Sequence, residues 1–357
     1  MITSELFSIL RLIRSENVGP LTFQALIRQF GSATVILENW EDLPKKFQKK
    51  IVLASLPAIE EEMENCLEFG ITLLPHFDPA YPELLREIPD APPLLSVKGD
   101  LSLLNAPSLG IVGSRNGSSH GCRLAHQIAK ELGEHGWKTI SGLARGIDTA
   151  AHKGSLEYGT MAVLAGGINI IYPEENKKLY EEISEKGVIL TESPFGTTPQ
   201  GPLFPRRNRL ISGISKGVLV VEAAVQSGSL ITAKFALDQG REVFAVPGSP
   251  LDPRSRGPNQ LLKEGATLVE CAQDILQLFP LIRESVSESQ ESKDLEALPL
   301  TSDSILDHLS AVPLSIDDLL QITGLPITVL WPTLLDLEIQ GKVERHPGNQ
   351  ISRALSV

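Results

Sequence analysis

The stretch LGIVGSR at residues 109–115 decides the fold of this chain. It begins with a short apolar run, Leu109–Gly113, and passes directly into Ser114 and Arg115. Apolar residues then recur on one face of a helical pattern through residues 124–132. A buried strand that ends in glycine and leads into an amphipathic helix is typical of the first half of a βαβ unit.

The same alternation continues to residue 280. Further strands are predicted at Lys138–Ser141, Met161–Gly166, Val188–Thr191, Val218–Ala223 and Glu242–Val246. The run at 218–221 is apolar throughout, as expected for a strand that is buried on both faces. This alternation predicts an α/β domain with an open parallel sheet and right-handed crossovers. Ligands of such sheets bind outside the carboxyl ends of the strands.

The segments on the amino-terminal side are predicted from helical spacing and from proline. Residues 1–70 are assigned to a helical domain, because two segments with helical apolar spacing are separated by Asn17-Val18-Gly19-Pro20. This pattern fits a helix-hairpin-helix element or a plain helical bundle. Residues 71–105 contain six prolines and are predicted to form a connector with one short strand, Leu94–Gly99. The sheet domain as a whole is assigned to residues 71–282.

The carboxyl-terminal part is predicted to be a linker followed by a small domain. Residues 283–300 are polar, acidic and low in complexity, which is typical of a linker. Residues 301–357 show three short helical patterns and a hairpin, which together predict a winged helix. The helix that would read a major groove, Ile327–Gln340, has no lysine or arginine, and residues 301–346 hold seven acidic and two basic residues. We therefore expect a tethering or protein-interaction role for this domain.

Composition excludes several classes of protein. The chain has 357 residues, a net charge of −12 and 42% hydrophobic residues, so extensive disorder and histone-like binding to nucleic acid are both disfavoured. Three scattered cysteines predict neither a disulfide framework nor a thiolate zinc site. Residues 1–12 show no secretory signal pattern, and no apolar run reaches about 20 residues. A cytoplasmic protein without a membrane span is expected.

Glycine, serine and arginine cluster where the predicted strands end. Glycine lets an anion approach the backbone, and helix N-termini and serine hydroxyls donate hydrogen bonds to the anion. Arginine can bind the same anion through two parallel hydrogen bonds. Simpler interpretations remain for single members: Asp148 would cap a helix, and the arginines at 206–209 would form a solvated face. The candidate binding residues are Gly113, Ser114, Arg115, Ser141, Gly142, Arg145, Gly146, Arg206, Arg207, Asn208, Arg209, Ser227, Gly228 and Ser229.

Motifs for common catalytic and cofactor sites are missing. The sequence has no G-x-x-x-x-G-K-[ST], no G-x-G-x-x-G after the first strand and no G-x-S-x-G. Its seven histidines show no metal-ligand spacing. We therefore predict no cofactor and no metal.

Taken together, the motifs resemble those of the DNA-processing protein A family (DprA, also called Smf). The resemblance covers roughly residues 71–280 and rests on Gly113-Ser114-Arg115, Ser141–Asp148 with His152, Tyr172-Pro173, Phe204–Gly213, Val221–Ala223, Ser227–Ala233 and Val246–Gly248. It implies an extended Rossmann-like sheet domain, an N-terminal helical (helix-hairpin-helix or SAM-like) domain and a C-terminal winged-helix domain.

The resemblance also implies a function. Members of this family bind single-stranded DNA, protect incoming strands and help to load a RecA-type recombinase during natural transformation. They act as homodimers through the central domain and have no established catalytic activity. The family's DNA-contacting arginine falls on Arg115. Its second basic contact falls on Lys177 or Lys178, and the sequence leaves this choice open.

A single-strand site also needs faces on which bases stack. Phe195 and Phe204 are candidates, although core packing is the favoured interpretation for Phe204. An alternative function is that of a nucleotide-processing enzyme similar to nucleoside-monophosphate phosphoribohydrolases. In that interpretation Glu222 would lie beside the glycine-rich helix start at 227–232.

Overall fold

A computed structural model describes residues 4–279 and shorter segments between 305 and 354. Within the second range, residues 307, 311–312, 324–329, 331–332, 335–336, 339 and 347–349 are not described. The chain divides into two compact units, residues 1–287 and 288–357. The predicted linker, 283–300, lies outside the described residues.

The first unit is built on a sheet of nine strands in the order β1-β2-β6-β5-β4-β3-β7-β8-β9. The strands are β1 Thr72–Pro75, β2 Leu94–Gly99, β3 Ser108–Val112, β4 Lys138–Ser141, β5 Thr160–Val163, β6 Val188–Thr191, β7 Gly217–Val220, β8 Glu242–Ala245 and β9 Thr267–Leu268. All pairs from β6 to β9 are parallel, which confirms the predicted parallel sheet.

Two strands at one edge change the predicted organisation. β1 and β2 run antiparallel to each other, and β2 runs antiparallel to β6. The segment 71–105 is therefore part of the sheet and not only a connector. Of the prolines in this segment, Pro75 is the last residue of the edge strand β1, and the others lie in the loops outside the strands. At these positions no backbone N–H is needed for hydrogen bonds between strands. The two-residue strand β9 is too short to leave an alternating pattern in the sequence.

Helices cover both faces of the sheet. Within β3, Leu109 and Ile111 pack towards the helices at residues 119–134 and 147–155, whereas Val112 packs into the cluster that contains the helices at 203–214 and 228–238. The helices of the first unit are α1 Ser4–Arg14, α2 Pro20–Phe30, α3 Ala33–Glu38, α4 Lys45–Gln48, α5 Leu56–Glu68, α6 Glu83–Arg86, α7 Ser119–Glu134, α8 Ile147–Ser155, α9 Lys177–Lys186, α10 Leu203–Ile214, α11 Gly228–Asp238, α12 Arg256–Lys263 and α13 Ala272–Leu276.

The N-terminal helices pack against the sheet. Their core includes Leu10, Phe23 and Leu26, and Leu94 of β2 belongs to the same cluster. A buried ion pair reinforces the contact, because Arg14 pairs with Glu62 and also donates to the backbone oxygen of Glu192. Burial of a large apolar side chain contributes about 1.5–3 kcal/mol. The N-terminal helices and the sheet therefore form one compact unit.

The second unit contains a three-stranded antiparallel sheet in the order β10-β12-β11. Its strands are β10 Leu314–Ser315, β11 Val343–His346 and β12 Gln350–Arg353, and helix α14 covers Ile316–Thr323. Val343 and Ile351 join Leu319, Leu330 and Leu334 in its core. The predicted hairpin is confirmed. Only part of the predicted reader helix, 327–340, lies in the described residues.

Candidate nucleic-acid interface

The central cleft of the first unit lies where the strand order reverses. β3 lies between β4 and β7. The chain adds β4, β5 and β6 on one side of β3 and later adds β7, β8 and β9 on the other side. The loops after these two strands separate and leave a cleft of about 390 Å³. It is lined by residues 112–116 at the end of β3, by residues 224, 226–229, 231 and 232 after β7, and by Phe204, Pro205, Arg207 and Asn208 of α10. Open α/β sheets bind ligands at this position.

Two glycines let the loops after β3 and β4 approach each other. Gly146 has φ +75°, and a methyl group there would collide with the backbone oxygen of Ser114. A methyl group at Gly113 would lie 2.6 Å from Cγ1 of Ile147. The N–H of Ile147 donates to the Ser114 oxygen at 3.2 Å and joins the loops. This contact brings the side chains of Arg115 and Arg145 to one rim, where both line the same small cavity.

Arg115 lies over an aromatic pair at the mouth of the cleft. Its guanidinium carbon is 4.9 Å from the centre of the Phe204 ring, and the Tyr172 ring is 5.7 Å from that of Phe204. Arg115 is exposed, and Tyr172 is 45% exposed. Core packing was favoured for Phe204, but the ring is half-buried and lines the cleft because α10 presents it there. Phe195 instead packs on Phe69 of the N-terminal part.

Arg207 is buried beneath the cleft. Its side chain donates to the backbone oxygens of Gly142 at 2.6 Å and Val163 at 2.5 Å, at the ends of two parallel strands. Burial lowers its pKa to about 10, nearby Asp148 opposes that shift, and Arg115 adds to it. This geometry corrects the prediction of a phosphate contact, because Arg207 is only 6% exposed and its guanidinium donates to backbone oxygens of the scaffold.

Asp148 completes this buried network. Its carboxylate accepts hydrogen bonds from the N–H groups of Gly142 at 3.1 Å and Ala144 at 3.3 Å. Burial raises the pKa of Asp148, and Arg207 and these N–H groups oppose the increase. The loop that carries Arg145 is thus tied to the start of α8. Gly142 is buried between Arg207 and Asp148, so its backbone groups face the scaffold and not a ligand.

Three more predicted contacts are used inside the protein. Ser141 is buried and donates to the backbone oxygen of Ile111 at 2.6 Å. Arg209 is buried and pairs with Glu192 and Asp90. Asn208 lines the cleft but donates to the backbone oxygen of Gly228 at 3.1 Å. The prediction is corrected for Ser141 and Arg209, since neither side chain reaches the surface with a free donor.

The remaining predicted cations are exposed. Arg145 pairs with Glu175 at 3.6 Å, Lys178 with Glu182 at 3.7 Å, and Arg206 with Glu192 at 3.8 Å. Exposed pairs contribute at most about 1 kcal/mol, so a phosphate competes well for these cations. Lys177 is exposed at the start of α9. Neither Lys177 nor Lys178 lines the two cavities, so both lie outside the cleft itself.

The opposite wall is the start of α11. The Ser227 hydroxyl accepts from the N–H of Ser229 at 3.4 Å and lies 2.6 Å from the Ser229 hydroxyl. A methyl group at Gly228 would meet open space, so the backbone here is accessible from the cleft. Free N–H groups at a helix start attract anions. Ser227, Gly228 and Ser229 therefore face Ser114 and Arg115 across the cleft.

Glu222 is placed differently from what a hydrolase would require. Its carboxylate accepts from the N–H of Ser118 at 2.8 Å and from the Ser118 hydroxyl at 2.5 Å, at the start of α7. It does not line the cleft. This arrangement favours a structural role for Glu222 over base release from a nucleotide. In the described residues, no group of three or more His, Cys, Asp or Glu side chains is placed to hold a metal ion.

Comparison with known proteins identifies the family. Residues 72–280 match the family model of DNA recombination-mediator protein A. This chain belongs to that family. The flanking regions match the DprA-like N-terminal HHH domain over residues 3–65 and the DprA winged helix domain over residues 289–349. The expected resemblance and fold class are thereby confirmed.

Relatives of this DprA-family chain carry the names DprA and Smf. It is 45% identical to the DNA processing protein DprA of Bacillus subtilis over 275 residues, which are 71% of this chain and 93% of the relative. It is 37% identical to the protein Smf of Escherichia coli over 312 residues, or 85% and 82% of the two chains. The solved structure of DprA from Streptococcus pneumoniae matches with a TM-score of 0.60, 35% identity and coverage of 77% and 93%.

A second solved structure is informative about function in a relative. It is DprA from Helicobacter pylori, described by its single-stranded DNA binding mode, with a TM-score of 0.54, 28% identity and coverage of 59% and 95%. Two residues of the site were not placed there by the sequence analysis: Tyr172, which lines the small cavity beside Arg115, and Asn116, which lines the cleft. The Tyr172-Pro173 motif was the available signal for the first.

Proposed function

We propose that this protein binds single-stranded DNA along the cleft between the β3 and β7 loops. The observation that carries the proposal is the exposed Arg115 guanidinium over the Phe204 ring, with Tyr172 beside it and the α11 start opposite. Single-strand sites combine cations for the phosphates with aromatic faces for the bases. The relative from Helicobacter pylori that is described as binding single-stranded DNA supports the same interpretation.

The proposed contacts are those predicted residues that remain accessible. They are Arg115, Arg145, Lys177 and Lys178 for phosphates, the backbone and hydroxyls at Ser114 and Ser227–Ser229, and the ring of Phe204. The structure adds the ring of Tyr172 beside Phe204. Arg206 is also exposed but does not line the cleft. Contacts of this kind are directed to the DNA backbone, so we expect little sequence preference. The logarithm of affinity should fall with that of the salt concentration, with a slope of about −0.7 per neutralised phosphate.

We further propose the cellular role that the family implies. The protein would protect incoming single strands and help to load a RecA-type recombinase during natural transformation, as a homodimer through its central domain. We propose no catalytic activity. A cytoplasmic location stays a prediction, and none of the described helices combines the length and apolar character that a membrane crossing requires.

Fluorescence anisotropy with labelled single- and double-stranded oligonucleotides tests the proposal. We expect tighter binding of the single strand, a steep salt slope, and weaker binding by Arg115→Ala with a slope reduced by about 0.7. Arg123→Ala is the matched control, because this exposed arginine lies on α7 away from the cleft. An equal effect of both substitutions would place the site elsewhere. No binding at low salt would overturn the proposal.

A further inference from the structure

A second groove lies beside the cleft and has no assigned role. It has a volume of about 460 Å³ and lies between the first turn of α2 and helices α10 and α11. Leu21 and Phe235 form its apolar walls, and Pro205 and Arg206 form one end. Leu21 is 62% exposed, so the N-terminal helical part presents an uncovered apolar side chain here.

The groove is continuous with the cleft. Pro205 lines both cavities. Ile231, which lines the cleft, and Phe235, which lines the groove, are four residues apart on α11 and so lie on one face about 6 Å apart along the axis. A chain that leaves the cleft over Pro205 therefore enters this groove directly.

The chemistry of the groove repeats that of the cleft. An exposed guanidinium, that of Arg206, and an aromatic ring, that of Phe235, line the same groove, and the cleft likewise combines Arg115 with Phe204. Arg206 pairs with Glu192 at 3.8 Å, and its side chain is 58% exposed. The acidic residue of the groove, Asp90, already pairs with buried Arg209 at 3.2 Å. Among Arg206, Arg209, Asp90 and Glu192, the Arg206 side chain is the most exposed, which suits a phosphate chain and disfavours an acidic peptide side chain.

We infer that this groove is a second segment of the single-strand path, in which Arg206 binds a phosphate and Phe235 with Leu21 receives a base. The N-terminal helical part is then a wall of the DNA site, not only an appended domain. The inference rests on the proposed function. Unlike the proposed function alone, the inference predicts a dependence on strand length. Strands that are long enough to pass Pro205 should bind more tightly than strands that occupy the cleft only.

Oligothymidylates of graded length, from about 4 to about 16 nucleotides, test this inference with the full-length chain. We expect Phe235→Ala to weaken binding of the longest strand about tenfold and to leave the shortest unchanged, because only the longest strand loses a stacked base. Arg206→Gln should reduce the salt slope by about 0.7 for long strands only. Matched controls are Leu237→Ala and Lys234→Gln, which alter exposed residues of α11 outside the groove.

The possible results separate the two proposals. If the wild-type chain binds no strand of any length, the proposed function itself fails. If it binds but Phe235→Ala and Arg206→Gln act equally on short and long strands, or not at all, the second segment is refuted. A change of oligomeric state in Phe235→Ala by sedimentation, without a length-dependent loss, would assign the groove to a second copy of the chain and also refute the inference. Unchanged binding of the shortest strand shows that each variant is folded.

Discussion

The ion pair between Arg14 and Glu62 allows a quantitative test of how the N-terminal helices are joined to the sheet. Arg14 donates to Glu62 at 2.9–3.1 Å and to the backbone oxygen of Glu192 at 3.3 Å. Glu62 also accepts from the N–H of Phe195 at 3.2 Å. The two side chains are only 9% and 10% exposed. Each charge therefore depends on the other for its stability in the interior.

Arg14→Met should destabilise the protein by about 3–5 kcal/mol, because it leaves the Glu62 carboxylate buried without its cation. Glu62→Met should cost a similar amount. The double variant removes both charges and leaves only the hydrogen bonds to Glu192 and Phe195 unmade, at about 1–3 kcal/mol each. At the middle of these ranges the two single variants together cost about 8 kcal/mol and the double variant about 4 kcal/mol, so the double variant should be destabilised by about 4 kcal/mol less than the sum of the single variants.

Urea unfolding followed by circular dichroism and by tryptophan fluorescence measures this coupling. The exposed pair Lys130–Glu134, at 3.7 Å on α7, is the matched control and should show a coupling of at most about 0.5 kcal/mol. The result that would refute the reasoning is additivity for Arg14 and Glu62 within about 0.5 kcal/mol. Separate unfolding transitions for the N-terminal helices and the sheet would also contradict a single compact unit.

Three further predictions follow from single features. Gly146→Ala should lower the free energy of unfolding by more than about 1–2 kcal/mol, because Gly146 has a positive φ and the added methyl group would collide with the Ser114 oxygen. Gly228→Ala is the control and should change it little, because a methyl group there meets open space. Thermal denaturation of the two variants compares these effects. Burial lowers the pKa of His152 from 6.5 to about 3, so between these pH values the unfolded chain binds a proton that the folded chain does not. The free energy of unfolding of the wild type should therefore fall by about 2 kcal/mol between pH 7 and pH 5. His152→Gln should not show this loss. Measured by urea unfolding, equal losses in both proteins would exclude His152 as the cause. Deletion of residues 284–357 should leave single-strand affinity largely intact; a large loss by anisotropy would show that the winged-helix domain contributes to the site.

Much of the fold was predictable because the strands near the centre of the sheet are buried on both faces. Runs such as Val218–Val221 are apolar throughout because both faces of the strand are buried, and this composition is visible in the sequence. The predicted strand Lys138–Ser141 has the same bounds in the structure. The edge was less predictable. β1 and β9 have two to four residues and exposed positions, so they leave no long apolar run, and the pairing of β2 with β6 joins segments that are far apart in sequence.

The arginines of α10 show why the site was only partly predictable. Arg206, Arg207 and Arg209 look alike in sequence, but successive residues of a helix point about 100° apart. Arg206 consequently reaches solvent, Arg207 turns under the cleft to the ends of β4 and β5, and Arg209 turns to Glu192. Which arginine meets a ligand depends on the rotation of α10 about its axis. That rotation is set by packing of Leu210 and Ile211 in the core, which is a tertiary property. The accessible charge of the rim therefore comes from a few exposed cations on a chain with a net charge of −12, and this supports binding restricted to one path.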